Sequence, residues 1–321
     1  MLILSHADVE AVLPMADCIE AVDAAMRGLS AGDYYNPLRM KAVPPGAPNR
    51  MVFMPALREG GRKLWSNKQI VVTPGNSKRG LDSHQGGVLL HDGDTGELLA
   101  MVHAGAITAI RTAAASAVAT RALARKDATV VTILGTGVQG RAHFDAMRCI
   151  LPHATFRIWS RTRANAEVMA ASSGGAAVAD TVDAACDGAD VICAVTAAPE
   201  PVLRAATIPR GCHVNAAGSS IATTRELDGA AMAKGSLFVD RRESTMNESG
   251  DYILALNEGA IGADHIRAEI GEVLLGRHPG RTSVEEITIY KSLGVAVQDL
   301  AAAELAVQRA RERSIGIEVP F

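Results

Sequence analysis

The chain has 321 residues and a formal net charge of −3; 48% of its side chains are hydrophobic, and aromatics make up only 3%. That length suggests two domains, or one with a large insertion, and buries a core without disulfides or a metal. The scattered basic residues lack the footprint of a nucleic-acid binder, no apolar run reaches the ~20 residues of a membrane span, and five cysteines without a CxxC pair read as reduced thiols of a cytoplasmic protein.

The opening MLILSHADVEAVL has no basic stretch before its apolar run, so it does not read as a secretory signal. Ser5 with Asp8 predicts a capped short helix ending near Pro14, followed by a helix over 15–30 that stops near Gly32. The period then changes. Segments 37–44, 50–56 and 66–73 read as strands. Strands 86–91 and 97–103 flank Asp92-Gly93-Asp94-Thr95-Gly96, which is hairpin turn chemistry. A largely antiparallel sheet with helices is therefore expected in the first third. An Ala-rich helix over 105–125 leads into alternating strands (129–134, 155–159, 190–195, 212–217, 236–240) and helices such as 138–150 and 163–172. The strands are short and apolar, as in a parallel sheet covered on both faces. Residues 285–312 read as strand or loop and then a long amphipathic helix.

The sharpest motif is Gly135-Thr136-Gly137-Val138-Gln139-Gly140, directly after the strand TVVTIL and at the start of a helix. In that context it predicts a dinucleotide site. Gly135 allows the tight turn, Gly137 lets the pyrophosphate approach the backbone, and Gly140 lets helix and strand pack closely. The helix N-terminus favours the phosphate charge. An acidic residue about 20 positions on would bind the ribose 2′-hydroxyl of NAD. Here the next strand ends in Ser160-Arg161-Thr162-Arg163, hydroxyls and guanidiniums that suit a 2′-phosphate. NADP(H) is expected, with NAD(H) as the alternative. No histidine or cysteine spacing suggests a metal.

Further motifs follow in order: Lys68-Gln69-Ile70-Val71-Val72-Thr73-Pro74-Gly75-Asn76, Asp94-Thr95-Gly96, Thr108-Ala109-Ile110-Arg111-Thr112-Ala113-Ala114, Arg225-Glu226-Leu227-Asp228, and Lys291-Ser292-Leu293-Gly294 with Asp299. With the glycine loop, this set resembles the ornithine cyclodeaminase/mu-crystallin family over nearly the whole chain. The resemblance implies an α/β protein: a Rossmann dinucleotide-binding domain over 118–292, plus a smaller α+β substrate-binding and dimerisation domain from 1–117 and 293–321. It also implies a homodimer built on the first domain's sheet.

By the same resemblance, Lys68 is the catalytic lysine beside the nicotinamide. Its mostly apolar strand would lower its pKa, so that it could protonate an imine near neutrality. Arg39 and Arg111 would hold the substrate carboxylate bidentately, with Lys41 as an alternative anchor. His84, Thr112, Thr196, Gly218, Ser219 and Ser292 would lie near the cofactor with Gly135 to Gln139 and Ser160 to Thr162. Cyclodeaminases of the family carry an aspartate for the distal amine of ornithine. Ser220 stands in its place here and cannot supply that charge. The expected function is therefore NAD(P)H-dependent reduction of cyclic ketimines or imino acids to L-amino acids. The alternatives are ornithine cyclodeamination, an open-chain amino-acid dehydrogenase, and a crystallin-like protein that binds NADPH without turnover.

Overall fold

The computed structural model describes residues 1–321, apart from the side chains of Ser77 and Lys78. The chain divides into two units: Met1–Arg111 with Val295–Phe321, and Thr112–Gly294. The sequence reading sets the first boundary six residues later, at 117/118; the division falls within the helix Ala104–Leu123.

In the first unit, Ser5 caps the helix His6–Val12 through a reciprocal box with Asp8. Pro14 opens the helix Met15–Ala31, which ends on Gly32 at φ 95°. The sheet runs in the order Ile317–Glu318, Leu2–Leu4, Leu98–His103, His84–Asp92, Leu64–Val72, Arg50–Arg58, Tyr34–Tyr35, and Met40–Ala42 also pairs with Arg50–Arg58. Its pairs are antiparallel except Leu2–Leu4 against Leu98–His103. The Asp92 carboxylate accepts from the amides of Asp94 and Thr95 and so shapes the central hairpin turn. Along Leu64–Val72, Ser66, Lys68, Ile70 and Val72 are buried on one face. The helix Ala296–Arg313 packs on that face. Asp299 meets Lys68, and five residues further along Glu304 grips Arg58 bidentately at 2.6 and 2.7 Å.

The second unit is an all-parallel eight-stranded Rossmann sheet. Its order is Ala177–Val178, Thr155–Trp159, Val130–Leu134, Val191–Ala194, His213–Ala216, Thr288–Lys291, Ser236–Val239, Ile266–Glu269. The order reverses between Val130–Leu134 and Val191–Ala194, which is where open α/β sheets bind ligands, outside the carboxyl ends of the strands.

Two expectations need correction. The strand predicted over 37–44 contracts to Met40–Ala42, because Pro37, Pro44 and Pro45 lack the N–H a ladder needs. Arg39 consequently lies just before that strand, not on it. The strands Leu2–Leu4 and Ile317–Glu318 at one end of the first unit's sheet were not anticipated: two or three residues hold too little pattern to read. Among the described residues no helix is long and apolar enough to cross a membrane. All five cysteines are free thiols.

Candidate active site

In the nucleotide-binding unit the glycine loop connects Val130–Leu134 to the helix Val138–Ile150. Gly135 has φ 118°, and a Cβ there would come within 2.7 Å of the Val195 carbonyl. One on Gly140 would meet the Gly135 carbonyl at 2.1 Å. Gly137 faces open space and caps the helix without any side-chain hydrogen bond. Side chains are thus excluded where backbones touch and absent where a pyrophosphate would sit, so the loop fits a dinucleotide. Val138 is exposed and Gln139 half-buried at the first turn. The Thr136 hydroxyl donates to Ser160 Oγ at 3.2 Å, tying the loop to the end of Thr155–Trp159.

At that strand end Arg163 pairs with Glu167 and Asp180. Arg161 and Thr162 are exposed, and Arg161 has no partner among the described residues. Residues Ser160, Arg161, Thr162 and Arg163 themselves include no carboxylate. Ser292 is 2% exposed and its hydroxyl oxygen has no hydrogen-bond partner. Thr112 is buried on the helix Ala104–Leu123.

Glu226 organises the carboxyl ends of the neighbouring strands. Its carboxylate accepts from Thr196 N at 2.6 Å, Thr196 Oγ1 at 2.7 Å and Gly218 N at 2.6 Å. Asp251 accepts from the amides of Glu226 and Leu227 and pairs with Lys291 at 2.8 Å. Lys291 also donates to the Ser219 carbonyl at 2.6 Å. Glu226, Asp251 and Lys291 are fully buried. Burial pushes the Glu226 carboxyl up to about 7, against the pull of Lys291 and the hydrogen bonds from Thr196. Ser219 turns its hydroxyl to the Thr224 carbonyl, while Ser220 is half-buried. Sequence reasoning took Glu226 only as part of a motif, not as a site residue. A carboxylate directly before a strand-like Leu offers no local sign of burial.

The first unit holds the basic cluster. Lys68 is 2% exposed, with Nζ 2.9 Å from Asp299 Oδ2, 3.1 Å from Oδ1 and 3.4 Å from Thr108 Oγ1. Arg111 donates through Nε to Asp299 Oδ1 at 2.8 Å and through Nη1 to Gln298 Oε1 at 3.0 Å. These bonds fix the plane of the guanidinium and leave Nη2 available. Burial lowers the Lys68 pKa to about 7. Arg111 and Arg39 push the same way, and Asp299 opposes them. Burial would raise the Asp299 carboxyl, but Arg111 and Lys68 prevail and hold it below the ordinary carboxylate range. Arg39 is half-buried in the segment before Met40–Ala42, and Lys41 lies on that strand opposite Val52. His84 begins the strand His84–Asp92, its Nδ1 2.8 Å from Ser83 Oγ.

The structure thus gathers Lys68, Arg111 and Asp299 into one buried contact group, with Gln298 and Thr108 at its edges. Thr108 entered the sequence reading only as the start of a motif, and Gln298 gave no sequence signal. Chemically the group is an ammonium whose pKa burial brings to about 7, beside a guanidinium with Nη2 uncommitted, a donor that could bind an oxyanion.

The sequence model of the ornithine cyclodeaminase/mu-crystallin family matches residues 1–314. Mouse ketimine reductase mu-crystallin is 40% identical over 291 residues, 89% of this chain and 90% of its own. The Delta(1)-pyrroline-2-carboxylate reductase of Thermococcus litoralis, solved with NADH and L-proline, is 35% identical at a TM-score of 0.94, covering 99% of this chain and 100% of that one. An archaeal alanine dehydrogenase dimer with bound NAD is 29% identical at a TM-score of 0.93, covering 100% of this chain and 99% of that one.

Proposed function

The chain belongs to the ornithine cyclodeaminase/mu-crystallin family, and from that premise we propose that it is an NAD(P)H-dependent reductase of cyclic ketimines and related imino acids, yielding L-amino acids. The observation that carries this reading is the buried Lys68, its pKa near 7 and its ammonium held by Asp299 beside Arg111. An imine accepts hydride far more readily once its nitrogen carries a proton. Lys68 supplies that proton, and Arg111, with Arg39, binds the carboxylate next to the C=N bond. The reduced nicotinamide, when bound, supplies the hydride. The balance is imine plus NAD(P)H plus a proton, giving amine plus NAD(P)⁺. Lys41 and His84 border the substrate. Thr112, Thr196, Gly218, Ser219 and Ser292 join the glycine loop in holding the cofactor.

NADP(H) is the favoured cofactor, since exposed, unpartnered Arg161 with Ser160 and Thr162 suits a 2′-phosphate; NAD(H) is the alternative. Cyclodeamination of ornithine is disfavoured because Ser220 brings no charge to a distal amine. An open-chain amino-acid dehydrogenase is the nearest variant, favoured by the likeness to the alanine dehydrogenase. The decisive assay follows NADPH absorbance when the purified protein meets pyrroline-2-carboxylate, with NADH in parallel. Rapid oxidation with NADPH preferred, and that preference lost in Arg161→Ala, is the expected result. Cofactor binding without oxidation would overturn the reading in favour of an open-chain substrate, a cyclodeaminase or a non-catalytic binder.

The protein acts in the cytoplasm as a homodimer. The dimer is supported by the sheet face turned away from the terminal helix. Strand register puts Met51, Phe53, Leu57, Trp65, Leu89 and Met101 together there, with Trp65 38% and Met101 39% exposed. An uncovered apolar face of this kind marks an interface. Sedimentation of Trp65→Glu as a monomer is the expected outcome.

A further inference from the structure

The terminal helix Ala296–Arg313 carries Gln298 and Asp299 near its start, and both are fully buried. Its N-cap position is Val295, whose side chain has no acceptor for the free amides that follow and makes no capping bond. The acceptor comes from elsewhere in the same unit. Asn36 Oδ1 accepts from Val297 N at 3.2 Å, across 261 positions of sequence. Val297 is the second residue of the helix, whose amide an N-cap side chain ordinarily satisfies. Asn36 is 5% exposed, so water competes little for the bond.

Asn36 stands where two parts of the substrate site meet. Behind it, the strand Tyr34–Tyr35 pairs with Leu57 and Arg58. Ahead of it come Pro37, Leu38 and Arg39. The proline ring fixes its own φ and confines the backbone of Asn36, so little freedom separates the cap from the Arg39 guanidinium. On the helix side, Gln298 and Asp299 directly follow Val297. Gln298 accepts from Arg111, and Asp299 holds both Arg111 and Lys68. One buried amide side chain thus joins the segment bearing Arg39 to the helix turn that orients Arg111 and balances Lys68. The helix has a second anchor at Glu304, which grips Arg58. Asp299 lies between the two anchors. Without Asn36 the grip at Glu304 persists, but the first turn is free to fray, and misplacing a reacting group by about 1 Å can cost about 10²-fold in rate.

We propose that Asn36 is a positioning residue for imine reduction: by capping the terminal helix from the segment that bears Arg39, it sets the spacing between the carboxylate-binding guanidiniums and the proton donor. This rests on the imine-reductase reading. Asn36 takes no part in the proton or hydride transfer; it acts through Val297 and Asp299 on one side and through Arg39 on the other.

The test compares the full-length native protein with Asn36→Leu, which keeps the volume and removes the acceptor, and with Asn36→Asp, which keeps the acceptor. NADPH oxidation by pyrroline-2-carboxylate is followed across pH. In Asn36→Leu, KM for the imino acid is expected to rise about tenfold, with NADPH affinity unchanged because the glycine loop is untouched. The alkaline limb of kcat/KM moves to lower pH as Asp299 loosens. Lys68 faces Asp299, Arg111, Arg39 and His84, and of these Asp299 favours its charged form; Arg39 moving away acts in the opposite sense but is the weaker influence. Asn36→Asp restores KM to within about threefold of native, since a carboxylate caps the same amide. Should Asn36→Leu not fold, Asn36→Ser, polar but too short to reach Val297 N, is expected to show the same changes at smaller size. A folded variant lacking the acceptor with native KM and an unmoved limb, its unfolding temperature alone lowered, overturns the proposal and leaves Asn36 a structural cap. An Asn36→Asp no better than Asn36→Leu overturns it as well. In both cases the reductase reading stands; absence of oxidation in the native protein overturns that reading too.

Discussion

Each of the two units buries a cluster of three charged side chains, and the clusters are opposite in composition. In the first unit two cations, Lys68 and Arg111, share one acid, Asp299. In the second, two acids, Glu226 and Asp251, accompany one cation, Lys291. The side chains are of similar type and all are almost fully buried, so the difference lies in what balances each group. The acids of the second unit are balanced from within, by backbone amides of Thr196, Gly218, Glu226 and Leu227. Besides Asp299, the cations of the first unit meet only the neutral acceptors Gln298 Oε1 and Thr108 Oγ1, and in the proposed reading an anionic substrate supplies the missing charge. One cluster holds loops in place and the other leaves a charge for a ligand. Buried charge by itself therefore does not mark a catalytic site; the sign left over after internal hydrogen bonds are counted is more informative.

The largest effect should come from removing the proton donor. Lys68→Ala is expected to lower kcat for imine reduction by about 10²–10⁴-fold, the range of general-acid catalysis. Arg111 remains to neutralise Asp299, so the fold and NADPH binding, followed by cofactor fluorescence, should persist. Turnover surviving in this variant would break the contrast between the clusters, because the first would then also be structural.

The converse change belongs to the second cluster. Lys291→Met leaves Asp251 without its cation in a dry interior, which costs ~3–5 kcal/mol when one partner of a buried pair is removed. Thermal unfolding should shift down accordingly. Adding Asp251→Asn should recover part of the loss, and turnover per folded molecule should change far less than in Lys68→Ala.

Asp299 sharpens the comparison through pH. It raises the Lys68 pKa against burial and Arg111, and the balance lies near 7. Reduction needs the protonated lysine, so the rate falls as pH rises through that value. Asp299→Asn removes that opposing charge, moving the alkaline limb of kcat/KM to lower pH. A loss of about tenfold at pH 8 corresponds to a shift of about one unit. A limb that stays in place would show that Lys68 is not the titrating group.

How much of this was legible in the sequence depends on how local each feature is. The glycine loop, the capping of the first helix and the alternating strands and helices each sit within a few consecutive residues, where steric and hydrogen-bonding rules act directly. Lys68 was identified by resemblance, with the apolar alternation of its strand in support. Its partner Asp299 lies 231 residues away. Asp299 entered the sequence reading only through the resemblance; by itself a carboxylate in the first turn of an amphipathic helix reads as an ordinary dipole partner or a solvated charge, and only packing of that helix on the sheet makes it a buried counter-ion.

The smallest expected effect concerns Glu226, and it separates a positioning role from a catalytic one. Burial raises its pKa to about 7, so the charged form that accepts three hydrogen bonds gives way to the protonated form as pH falls through neutrality. A protonated carboxyl has one oxygen fewer to offer as an acceptor, and the amides of Thr196 and Gly218 are then held less firmly. Since those amides belong to the strand-end loops proposed to hold the cofactor, NADPH affinity should weaken several-fold between pH 8 and pH 6 in the native protein. Glu226→Gln cannot ionise, and its amide nitrogen faces a donor where an acceptor is needed. Its affinity should therefore be several-fold lower at pH 8 and flat across the same range, with kcat at saturating NADPH little changed. A fall in kcat without change in cofactor affinity would move Glu226 into the chemistry and erase the division of labour between the two clusters.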